Sequence, residues 1–91
     1  MKFYNEKAKK AYHGLSFTMV GFELRESKFL SPIKQVVAHA DDGESYYMPA
    51  SFCRYVAVNG VDLGDLTGVR FQIIERETAN GRTGLYVEGG R

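Results

Sequence analysis

The side chains best suited to chemistry in this 91-residue chain are His13 and His39, the single cysteine Cys53, and the acidic run Asp41-Asp42-Gly43-Glu44. Acid–base or nucleophilic catalysis needs titratable groups within hydrogen-bond reach of one another. His13 falls at the end of an expected helix and His39 near an expected hairpin, with no His-x-x-x-His or Cys-x-x-Cys spacing to hold zinc. The acidic run has the chemistry of a tight turn and lacks the further spaced carboxylates and distal glutamate of a calcium loop. Neither a phosphate-binding loop, a dinucleotide fingerprint nor a Gly-x-Ser-x-Gly elbow occurs. Cys53 lies beside Arg54, a charge able to lower a thiol pKa, but it also follows Phe52 on an apolar helix face, where a lone thiol packs as a small hydrophobe. No catalytic set, metal site or cofactor is expected, and the chain reads as a non-enzymatic binding module.

The elements that would carry such a module are limited by size. Ninety-one residues leave enough apolar material for one core, so a single domain over 1–91 is expected. A hydrophobic fraction of 44% and a charged fraction of 25% are those of an ordered globular chain. One cysteine cannot form an intrachain disulfide, the opening residues Met1 to Lys7 lack the apolar stretch of a signal peptide, and no apolar run nears the roughly 20 residues that span a bilayer. These features point to the cytoplasm and away from a membrane. The net charge of +1 is uneven, with +3 on residues 1–14 and −2 on the rest. A basic end can attract a polyanion, and four lysines are equally a solubilising surface.

Asn5 to Tyr12 contains good helix formers, with Gly14 placed as a stop, which predicts a short N-terminal helix within residues 1–14. From Leu15 to Arg25 the pattern alternates, but Leu15, Phe17 and Met19 occupy one face and Val20, Phe22 and Leu24 the other. A one-residue slip beside Gly21 predicts a β-bulge that bends the strand; a straight strand buried on both faces is the competing reading. Ile33 to Ala40 and Ser45 to Met48 form a hairpin across the Asp-Gly turn. Pro49 to Val58 predicts a helix with Phe52, Tyr55 and Val56 on one face, although Val56 and Val58 also suit a strand. Val69 to Glu77 alternates strongly and pairs with Leu85 to Glu88 through the loop 78–84. Gly89-Gly90-Arg91 is expected to be a frayed tail.

The fold class that follows is mainly β with minor α. Over Leu15–Glu88 the order of bent strand, hairpin, helix and second hairpin, with the bend at Gly21, resembles the OB-fold, a five-stranded barrel with its helix between strands three and four. The chain also resembles the short proteins that bacteriophages and prophages encode beside single-stranded-DNA-binding proteins. The OB resemblance implies a ligand face on strands two and three and their flanking loops, and there the sequence offers Lys34, Tyr47, Arg70, Arg76 and Arg82. An aromatic ring stacks on bases while cations follow phosphates, so these residues make a site for single-stranded DNA or RNA. Each has a plainer role: Tyr47 packing under the N-terminal helix, Arg70 and Arg76 pairing with Glu75, Glu77 or Glu88, and Arg82 a solvated loop charge.

A second functional class competes. Six tyrosines and six phenylalanines exceed what so small a core hides, which suits a protein-interaction module, for example a phage-encoded inhibitor or anti-defence protein that covers a host or phage partner's surface. Open strand edges also allow self-association into a homo-oligomer.

Overall fold

The computed structural model describes residues 8–28 and 30–90. Six strands, β1 (Lys9–Lys10), β2 (Ser16–Arg25), β3 (Gln35–Ala40), β4 (Ser45–Tyr47), β5 (Arg70–Glu77) and β6 (Thr83–Gly90), form one sheet in the order β1-β4-β3-β2-β5-β6. The helix α1 (Ala50–Asn59) connects β4 to the short 3-10 helix Leu63–Leu66 that precedes β5. All pairings are antiparallel except β1 with β4. The fold is mainly β, as expected, and among the described residues it is a curled half-barrel of six strands with one α-helix, where five strands and two helices were expected.

Curvature originates in β2. Its first residues, Ser16 to Thr18, pair with β5, and its later ones pair with β3, so one strand serves both halves of the sheet. Met19 opposes Ala40 while Gly21 opposes His39, which leaves Val20 as the additional residue of a bulge. The expected bulge is therefore present, but its expected cause is different. Gly21 does not have positive φ; its lack of a side chain admits the His39 ring, whose Cδ2 would lie 3.4 Å from a Cβ at this position.

The expected N-terminal helix is not formed by its described residues. Lys9 and Lys10 pair in parallel with Tyr46 and Tyr47, and the Ala11 N–H donates to the Tyr47 carbonyl at 3.3 Å; residues 5–7 of that expected helix lie outside the described residues. Local helix propensity was outweighed because this segment has little apolar surface to bury as a helix, whereas the edge of β4 offers unpaired backbone groups. Gly14, φ 94°, closes a turn in which the Leu15 N–H donates to the Tyr12 carbonyl at 3.0 Å. At the other end, Gly89 and Gly90 belong to β6 and pair with Phe71 and Arg70, so the expected frayed tail is a strand through Gly90. Gly89 lets the Phe71 ring rest against backbone, since a Cβ there would stand 3.1 Å from Phe71 Cε1.

The helical reading of residues 49–58 holds over Ala50–Asn59. Gly60 ends the helix in the left-handed conformation at φ 60°, its N–H donating to the Val56 carbonyl. Phe52 and Cys53 turn inward and are buried. A line of rings crosses the interior: Tyr46 stacks on Phe17 at 5.3 Å, Phe17 meets Phe71 at 6.1 Å, and Phe71 meets Phe52 edge-on at 5.8 Å. Strands on both sides of the bend and α1 thus share one core, with Met19 and Ile73 fully enclosed.

Candidate binding surfaces

The side of the sheet facing away from that core carries a compact polar cluster. On β2, β3 and β4, cross-strand pairing aligns Glu23 with Val37 and Tyr47, and Gly21 with His39 and Ser45. Arg25 Nε donates to Glu23 Oε1 at 2.5 Å, and its Nη1 donates to the Tyr47 hydroxyl at 3.0 Å while the guanidinium lies 5.6 Å from the Tyr47 ring centroid. His39 Nδ1 lies 2.8 Å from Ser45 Oγ, and its Nε2 lies 3.5 Å from Glu23 Oε2. Hydrogen bonding to Glu23 raises the Arg25 pKa and keeps that side chain charged. Burial pushes His39 below its ordinary value despite the attraction of Glu23, so the imidazole is held neutral.

Ser45, His39 and Glu23 follow the order of a nucleophilic relay. The serine is nevertheless fully buried at 0% exposure and His39 is 7% exposed, which leaves the hydroxyl with no approach for a substrate. What this arrangement does is tie β2 to β4 through Arg25 and Tyr47, and β3 to β4 through His39 and Ser45, which supports the register of the three strands. Val37, fully enclosed on this face, adds apolar packing among the polar groups.

The five residues expected to bind nucleic acid are placed separately. Tyr47 belongs to the polar cluster, its ring beside Arg25. Lys34, immediately before β3, pairs with Glu26. Arg70 donates to Thr18 Oγ1 at 3.4 Å and stands 4.0 Å from Asp41. Arg76 pairs with Glu88 across β5 and β6 at 3.6 Å. Arg82 is exposed in the β5–β6 loop. Arg25, whose guanidinium lies over the Tyr47 ring, was missed in the sequence because its position relative to that ring depends on the register after the bulge.

The acidic run is consumed by structure. The Asp42 carboxylate accepts from the Glu44 N–H at 2.8 Å and from the Tyr46 hydroxyl at 3.0 Å, and Asp41 accepts from the Thr18 N–H at 3.1 Å. Among the described residues no group of three His, Cys, Asp or Glu side chains is placed to hold a metal ion. No described helix is long and apolar enough to cross a membrane.

Two exposed apolar features flank α1. On one side, Phe22 and Leu24 of β2 pair with Ala38 and Val36 and continue the core face, yet they remain 38% and 52% exposed. Together with Ile33, Val56 and Leu63 they line a groove of about 570 Å³, with Lys34 and Asp62 among its polar residues. On the other side, Phe52, Tyr55, Leu66, Phe71 and Val87 line a cleft of about 620 Å³ between α1 and β6. Along α1 itself, Tyr55 and Val58 are strongly exposed, Val58 at 80%. The sequence signal for this surface was present in the unusual number of aromatics and in the second apolar run of β2, but which of those residues stay uncovered is decided by where α1 docks.

Comparison with protein-family models, with curated proteins and with solved structures found no match to this chain.

Proposed function

We propose that this chain is a non-enzymatic protein-interaction module, an open OB-like barrel that binds apolar side chains of a partner protein in the two clefts beside α1. The exposure of Phe22 and Leu24 on the core side of the sheet carries this reading, because the half-barrel leaves interior-facing residues uncovered where a closed barrel would enclose them. The groove has few polar groups to orient a small ligand, whereas aliphatic and aromatic walls suit the anchors of a protein interface. An inhibitor or adaptor that works by covering a partner's surface fits this chemistry.

The test is capture from nuclease-treated host lysate with three immobilised proteins: the wild type, Leu24→Asp and Glu77→Ala. Leu24 is half-exposed, so its substitution leaves the core intact. A stoichiometric partner retained by wild type and Glu77→Ala but lost with Leu24→Asp is expected. Equal capture by all three, or recovery of no protein, would refute the reading.

Single-stranded nucleic acid is the second reading, favoured by one observation: the chain order of three strands, a helix and two strands from β2 to β6 is the element order on which the OB resemblance rests, and Tyr47 of β4 carries the guanidinium of Arg25 from β2 against its ring. The acidic partners of Lys34, Arg70 and Arg76 count against it, since each cation is already compensated. Fluorescence anisotropy with labelled oligonucleotides at low salt separates the two; binding that weakens steeply with added salt would favour nucleic acid.

A further inference from the structure

The two edges of the sheet are built differently. β1 is two residues long and consists of Lys9 and Lys10, the short charged form that discourages strand addition. β6 runs for eight residues, Thr83–Gly90, with no lysine or proline, and its one charge, Glu88, is paired with Arg76. Among the described residues β6 has a sheet neighbour on one side only.

The directions of its backbone groups follow from the ladder. Ile73 spends its N–H on the Leu15 carbonyl at 2.8 Å and its carbonyl on the Gly14 N–H at 2.9 Å, so both point away from β6. Val87, directly opposite Ile73, is then in a non-hydrogen-bonded pair, and its own N–H and carbonyl point to the free edge. The same alternation turns the groups of Leu85 and Gly89 outward. Ser51 Oγ of α1 already donates to the Leu85 carbonyl at 2.7 Å, in agreement with that direction. Among the described residues Val87 and Gly89 are left without such a partner, and both line the cleft of about 620 Å³ whose other walls include Phe52, Tyr55 and Leu66.

We infer that β6 accepts an extended segment of a partner polypeptide as an added strand at Val87–Gly89, with one large apolar side chain of that segment seated in the cleft against α1. Outward N–H and carbonyl groups at strand spacing select extended backbone, and the apolar cleft beside them selects the side chain. The proposal rests on the protein-interaction reading and specifies its mode at one of the two clefts.

A displayed library of random decapeptides, panned on the intact chain, is the test. Val87→Pro removes the outward N–H without breaking a bond to β5, and a thermal melt confirms that the variant folds. Enrichment of sequences with an isolated large apolar residue is expected, with at least a tenfold loss of affinity on Val87→Pro and on N-methylation of the synthetic peptide at alternate positions. Should Val87→Pro fail to fold, the methylated peptides carry the test alone. Absence of enrichment overturns the inference, as does enrichment indifferent to both changes. Peptides lost with Leu24→Asp but retained with Val87→Pro would overturn it while leaving the protein-interaction reading in place. A wild-type dimer abolished by Val87→Pro in light scattering would assign the edge to a second copy and also overturn it.

Discussion

Met19 and Gly21 stand two residues apart on β2, yet they oppose consecutive residues of β3, Ala40 and His39. The register shift keeps Phe22 and Leu24 on the core side while Gly21, Glu23 and Arg25 meet the polar cluster. Space beside His39, rather than backbone torsion, is what the glycine supplies. A Cβ at this position makes an ordinary contact at 3.4 Å, so Gly21→Ala should change unfolding free energy by less than about 1 kcal/mol. Gly21→Leu must displace the imidazole from Ser45 and should cost about 1–3 kcal/mol. Urea denaturation of both variants checks this, and equal stability of the two would show that His39 does not fill the space.

The His39 pKa is lowered chiefly by burial, offset in part by Glu23, while Arg25 lowers it further. An unfolded chain takes up this proton near pH 6.5 and the folded chain only below that. Between the two values the unfolded state binds more protons, so stability rises with pH there. It is complete well above about pH 6.5 and declines as pH falls through that value toward the depressed native one. His39→Gln removes the titrating group, so its urea midpoint should change less between pH 7.5 and 5.5 than that of the wild type. Parallel changes in the two proteins would exclude His39 as the origin.

Strand periodicity and turn chemistry made the centre of this fold legible. Val69, Phe71 and Ile73 alternate and are buried, the Asp-Gly turn forms its hairpin with Gly43 at φ 87°, and the slip beside Gly21 marks the bulge. Signals at the two ends were weaker because both are decided by tertiary pairing. Lys9 and Lys10 have good helix propensity but satisfy an edge of β4, and Gly89 looks like tail sequence until the Phe71 ring is set against it. The candidate surface was the least legible part. Residue types announced surplus aromatics, but that Met19 is enclosed and Leu24 exposed depends on how the helical connection from β4 to β5 lies over the curled sheet, with the 3-10 helix packed on β2.

Tyr46 combines burial with a hydrogen bond to Asp42, and together they push its pKa up to about 12. The folded state therefore keeps the phenolic proton after an unfolded chain has lost it near pH 10. Its contribution is fully present below about pH 10 and is lost as pH rises from there toward the native value. Tyr46→Phe retains the ring stacked on Phe17 but leaves the Asp42 carboxylate without this donor, at a cost of about 0.5–1.5 kcal/mol at pH 7. The ultraviolet difference between wild type and Tyr46→Phe isolates this phenolate, and its appearance near pH 10 would contradict a protected hydroxyl.

Cys53 is enclosed by the pieces that join α1 to the sheet. Its Sγ accepts from the Val36 N–H at 3.4 Å and lies 3.8 Å from the Met48 carbonyl, and the residue is 1% exposed. Burial raises the thiol pKa more than the nearby N–H groups and Arg54 lower it, so little reactive thiolate exists in the folded protein. A thiol reagent should then modify Cys53 only as fast as α1 detaches or the chain unfolds. The modification rate in rising urea is expected to follow the unfolding transition, with the native protein protected by at least about a hundredfold, since a domain of this size opens globally at a cost of several kcal/mol. Rapid labelling in the absence of urea would mean that α1 lifts readily from the half-barrel, and the walls of both clefts would then be mobile rather than preformed.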